Sequence, residues 1–156
     1  MAIYVRLAQR FKEERGLHEF WMSMARHEAG HVGALELLQA MITNGDVSPP
    51  IPHTHEVAME AAAAIATLED RVTPEIDVKQ AFEIAVELES TELEDLVLDL
   101  VHGLADREAR DQAIQMIVHD LSDLSLMIEK YTHDDDLLAR ADALVQRHVN
   151  RRDEQD

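Results

Sequence analysis

Cysteine is absent from this chain, which excludes disulfides and thiolate metal sites. Glycine (5) and proline (4) are scarce among 156 residues, too few turn-formers for a sandwich or barrel of many short strands. Bases are outnumbered: 14 Lys and Arg stand against 32 Asp and Glu, a formal net charge of -18. Nucleic acid is therefore not an expected partner, because its phosphates must be met by clustered Lys and Arg. An anionic membrane surface is disfavoured for the same reason. No window holds the roughly 18 apolar residues of a membrane span. The opening MAIYVRLAQRFKEER is amphipathic and charged, without a signal peptide's unbroken apolar segment. These absences lead to the expectation of a soluble, cytoplasmic protein.

What remains is a composition rich in Ala, Leu, Glu and Asp, with 46 % hydrophobic residues, which suits packed helices. The length fits one domain, expected over 1–150, with a frayed polar tail at 151–156. Acidity is uneven. Residues 1–53 carry 5 basic and 6 acidic groups, whereas 54–156 carry 9 and 26.

Helical periodicity marks Ile3, Tyr4, Leu7, Ala8 and Phe11 in a first segment, Ala2 to Glu14, with Gly16 as the expected break. A long helix is predicted over 17–44. Asn44-Gly45-Asp46 and Ser48-Pro49-Pro50-Ile51-Pro52 then form the one obvious linker. Thr54 is placed to cap a helix over 55–70. Asp77 with Gln80 matches a capping box for a helix expected over 77–104, closed by Gly103. A further helix is predicted over 107–131, and Thr132 with Asp135 is expected to start a last one running to about His148. An all-α bundle is the natural packing of such segments.

The second helix is the most informative. Leu17, Trp21, Met24, Glu28, His31, Leu35, Leu38 and Ile42 are spaced 4, 3, 4, 3, 4, 3, 4, one continuous seam. Six are apolar, and Glu28 and His31 sit at the centre. A buried carboxylate needs a cation, a proton or a hydrogen-bond network. A Glu and a His three apart and facing a helical core are also the elements of a carboxylate metal site. The plain structural alternative is that the two satisfy each other in a core that binds nothing. His27, one residue off the seam, reads as a boundary histidine.

Glu89 is the polar exception among Phe82, Ala85, Leu93, Leu96 and Leu100. Glu92 reads as part of the solvated acidic face that Glu83, Glu87, Glu94 and Asp95 crowd. On the next helix Ile114, Ile117, Leu121, Leu124, Ile128 and Tyr131 form an uninterrupted seam. Beside it run Ala113, Met116, Asp120, Asp123 and Met127, either a half-buried pair of aspartates or a wet edge. His119 points further from the seam. His53-Thr54-His55 reads as a loop, and Asp134-Asp135-Asp136 as favourable charge at a helix start.

IYVRLAQRF…FWMSMARHEAGH resembles the first helix pair of ferritin-like, rubrerythrin-type proteins. AFEIAVELESTELE is similar to that fold's third helix, and MIVHDLSDLSLMIEKY to its fourth. The likeness covers residues 2–44 and, more loosely, 77–131. It implies an antiparallel four-helix bundle of ferritin-like type with a crossover segment and, here, an extra C-terminal helix. It also implies a di-iron carboxylate centre reacting with dioxygen or peroxide, or oxidising iron. The family's second-helix E-x-x-H falls on Glu28 and His31, and its third-helix glutamate on Glu89. Its fourth-helix E-x-x-H falls on Asp120 and Asp123, so that histidine is absent and that glutamate is shortened. The first helix's glutamate would lie upstream of Met1. The expected function is thus a ferritin-like protein with a remnant site for iron or another divalent metal at Glu28, His31, Glu89, Asp120 and Asp123. A homodimer is expected, since a partner subunit is one source of missing ligands. The rival expectation is a non-catalytic bundle acting through oligomerisation or protein contacts. A third class is an acidic module for a basic partner.

Overall fold

The computed structural model describes residues 2–44, 54–91 and 107–153, except for the side chains of 31, 32, 34–44, 54–61, 107–110, 113 and 151–153. Among the described residues there are six helices and no strand, as the scarcity of turn-formers predicts. They are α1 (Ala2–Arg10), α2 (Arg15–Asn44), α3 (Thr54–Arg71), α4 (Val78–Glu89), α5 (Arg107–Thr132) and α6 (Asp135–Asp153). The chain divides into two compact units, Met1–Ile76 and Asp77–Asp156.

In the first unit, α1 buries Ile3, Tyr4, Leu7 and Ala8, positions that recur on one face at helical spacing. That face packs on Leu17, Phe20, Trp21, Met24 and Ala25 of α2, all buried. The Tyr4 and Trp21 rings stack with centroids 5.9 Å apart, and Phe20 tilts against Trp21 at 4.7 Å. Each such buried ring contributes on the order of 1.5–3 kcal/mol relative to exposure. The break between the helices lies at 11–14, not at Gly16. The Glu14 amide donates to the Phe11 carbonyl and the His18 amide to the Glu14 carbonyl, so α2 has already started when Gly16 is reached. The reversal is set by Phe11, which is buried and ties the turn to the core.

α3 touches α1 and buries Leu68, while Val72 and Ile76 anchor the segment after it. The alanines at 62–64 are exposed. The Arg6 guanidinium donates to the Glu69 carbonyl at 2.8 Å, which also accepts from the Val72 amide at 3.2 Å, and to the Val72 carbonyl, tying α1 to the end of α3.

The second unit opens with the expected capping box. Asp77 Oδ1 accepts from the Gln80 amide at 2.8 Å, and Gln80 Oε1 accepts from the Asp77 amide at 3.1 Å. α4 then ends at Glu89 rather than near 104. The Ser90 hydroxyl donates to the Val86 carbonyl, and the Ser90 amide also turns back to Val86 and Glu87. Glu92, Glu94, Asp95, Leu93, Leu96, Leu100 and Gly103 lie outside the described residues, as do the 44–54 linker beyond Asn44 and His53. α5 and α6 form a tight hairpin across His133 and Asp134, and α4 packs on both. The cap of α6 is Asp134, not Thr132: Asp134 Oδ1 accepts from the Leu137 amide at 2.9 Å, and the Thr132 hydroxyl accepts from the Asp134 amide at 3.2 Å. α6 extends through Asp153. Its buried stripe is Leu137, Ala141, Leu144 and His148.

Candidate functional site

Leu17, Trp21 and Met24 of the α2 seam are buried as expected, but Glu28 is only half-buried; the side chains of Leu35, Leu38 and Ile42 lie outside the described residues. The cause is the length of α1. Nine residues at about 1.5 Å each span roughly 13 Å. Tyr4 faces Trp21, and the Ala8 carbonyl lies 2.9 Å from His18 Nδ1, an antiparallel register that sets the start of α1 opposite Met24. Glu28 lies one turn beyond that point, where α1 no longer covers α2. His27 is also half-buried, in keeping with a boundary position. The side chain of His31 lies outside the described residues.

The second unit holds the other three expected ligands. Glu89 is buried at 6 % exposure on α4, in line with Phe82 and Ala85, which are also buried. On α5 the aspartate stripe splits. Asp120 is buried at 9 %, whereas the Asp123 side chain is 49 % exposed. Helical geometry accounts for this. At about 100° per residue, Asp120 stands roughly 70° from the centre of the Ile117–Leu121–Leu124–Ile128 seam, and Asp123 roughly 130°. Met116, on the same stripe, is exposed and shields neither. His119 is exposed, with Nδ1 3.7 Å from Asp120 Oδ1 and 3.6 Å from Asp123 Oδ2.

Glu89 and Asp120 are buried on helices that pack together, Asp123 turns toward solvent, and Glu28 belongs to the other unit. Among the described residues no three His, Asp or Glu side chains form a group able to hold a metal ion. No helix among the described residues is long and apolar enough to cross a membrane.

Two polar arrangements escape the seam-based reading. Lys79 Nζ lies 2.6 Å from Asp134 Oδ2, joining the first turn of α4 to the cap of α6. The Lys79 ammonium, aided by the Leu137 amide, holds the Asp134 carboxyl below its ordinary value, and Asp134 holds the ammonium above its own. Sequence spacing carries no signal for such a pair. The other is the cationic edge of α1, where Arg6 straps the end of α3. Its signal was present: residues 1–12 contain Arg6, Arg10 and Lys12 and no carboxylate.

No protein-family model, no curated protein and no solved structure matches this chain.

Proposed function

We propose that this is a ferritin-like helical protein with a reduced carboxylate site for a single divalent cation, iron or another, built around Glu89 and Asp120. The observation that supports this reading is the burial of both carboxylates on helices that pack together. Two carboxylates would neutralise one divalent ion, whereas the exposed Asp123 contributes little to such balance. Glu28 and His31 remain the carboxylate and imidazole that the α2 seam offers to the same reading. The test is melting of the apo full-length chain with Fe(II), Mn(II) and Zn(II). A metal at about 100 times its Kd stabilises the folded state by roughly 2.7 kcal/mol. The expected rise disappears in Glu89→Gln and Asp120→Asn. Failure of all three metals to raise the melting temperature would overturn the proposal.

A second reading, a non-catalytic helical protein acting as a homodimer or through protein contacts, is favoured by Met116 and Leu126. Both are exposed on α5 at about 60 %. Sedimentation of the wild type against Leu126→Glu separates the readings: dissociation in the variant supports assembly, and a monomeric wild type removes the dimer.

A further inference from the structure

In a chain of net charge -18, three cations are gathered at one place, and Lys12 alone of them has a carboxylate within ion-pair distance among the described residues. Arg6, Gln9, Arg10 and Lys12 on the edge of α1 and its turn meet Thr73 and Pro74 after α3 around an open cavity of about 410 Å³. That lies within the roughly 300–1,000 Å³ of small-ligand sites.

The charges are held but not cancelled. Arg6 donates to two backbone carbonyls, those of Glu69 and Val72, which are neutral acceptors. Two of the five N–H groups of its guanidinium are spent there. Arg10 lies over the Phe11 ring, 5.1 Å from its centroid, a contact that steadies the cation without neutralising it. Among the described residues neither arginine has a carboxylate within ion-pair distance. Lys12 reaches Glu13 only at 3.9 Å between exposed side chains, a weak pair. Thr73 adds a hydroxyl and Gln9 an amide.

We infer that this cavity is a binding site for a small soluble anion bearing phosphate, held by Arg6, Arg10 and Lys12 and oriented by Gln9 and Thr73. Guanidinium forks match phosphate oxygens in pairs, and three cations match the charge of a phosphate ester or diphosphate better than that of one carboxylate. A phosphate headgroup in a membrane offers the same chemistry. Concavity and the repulsion of a -18 chain from an anionic surface favour the soluble source.

The experiment is calorimetric titration of the full chain with pyrophosphate, at ionic strength fixed with chloride. One saturable site per chain is expected. Affinity falls at least tenfold in the Arg10→Ala/Lys12→Ala double variant, checked for folding by circular dichroism. It stays within twofold of wild type in Arg15→Ala, whose guanidinium pairs with Glu19 at 2.8 Å away from the cavity. Absence of chloride-corrected binding would overturn the inference, as would an equal loss in Arg15→Ala. Binding to phosphatidic acid vesicles but not to pyrophosphate would overturn it in favour of a surface contact.

Discussion

Arg6→Ala tests the strap between α1 and α3. Among the described side chains of α3, residues 62–64 are exposed and Leu68 is buried in its last turns. Arg6 adds two hydrogen bonds from a charged donor to the carbonyls of Glu69 and Val72. Such bonds are worth about 1.5–3 kcal/mol each when shielded. Arg6 is exposed, so solvent screening reduces the pair to about 1–3 kcal/mol in total. The loss falls first on α3, because the α1–α2 core of Tyr4, Leu7, Trp21 and Met24 does not involve Arg6. Amide hydrogen exchange over 62–71 is therefore expected to quicken by roughly 5- to 150-fold, at about tenfold per 1.4 kcal/mol, while amides of 17–25 change less. Arg6→Lys recovers at most about half of the effect, since an ammonium does not reproduce a fork reaching two carbonyls. Arg10→Ala, on the same edge with the same charge but no carbonyl contact, stays within about 0.5 kcal/mol of wild type. Wild-type exchange over 62–71 in Arg6→Ala, or full recovery in Arg6→Lys, would refute the strap.

Three further outcomes are expected. Asp77→Ala removes the acceptor for the Gln80 amide and half of the capping box, lowering stability by about 1 kcal/mol in urea denaturation, with Asp77→Ser close to wild type. His133 adopts a φ of 52° between α5 and α6, so His133→Gly relieves a left-handed side chain and raises stability by about 1 kcal/mol, seen as a higher urea midpoint at unchanged m. The Lys79–Asp134 pair makes stability depend on pH in a defined sense. Asp134 has its folded value lowered, so its contribution is intact above the ordinary carboxylate range and shrinks as acid carries the pH down through the depressed folded value. Lys79 has its value raised, so its part persists through neutral pH and fades only when strong base deprotonates it. The stability gap between wild type and Lys79→Met is therefore flat near neutrality and narrows below about pH 4; a gap that widens there would contradict the assignment.

Regular features with short range were legible in the sequence. The Asp77–Gln80 box and the buried faces of α1, α4 and α5 follow from spacing alone, because capping and helical periodicity act within a few residues. Helix ends were harder, since several residues compete for each role. Gly16 looked like the break, yet burial of Phe11 places the reversal earlier. Thr132 and Asp134 both suit a cap, and the tight hairpin selects Asp134 and makes Thr132 its partner. α4 ends at Glu89 although an apolar rhythm continues through Leu93 and Leu96, and the Ser90 cap that closes it has no periodic signature.

The candidate site was legible in proportion to how far each residue sits from its seam. Glu89 lies on its seam and is buried. Asp120 stands close enough to be covered and Asp123 does not. Glu28 lies on its seam and is still half-buried, because coverage depends on how far the partner helix extends, which no periodicity in α2 encodes. Charge presents the same problem of scale. A net of -1 over residues 1–53 averages Arg6, Arg10 and Lys12 with carboxylates that follow them in the chain. Electrostatic interactions fade over about 8–10 Å at physiological salt, so a ligand at the α1 edge responds to those three cations far more than to the total of -18. Binding chemistry in an acidic helical protein is therefore sought in its local exceptions, and the cavity beside α1 is one where two arginines lie without a carboxylate at ion-pair distance among the described residues.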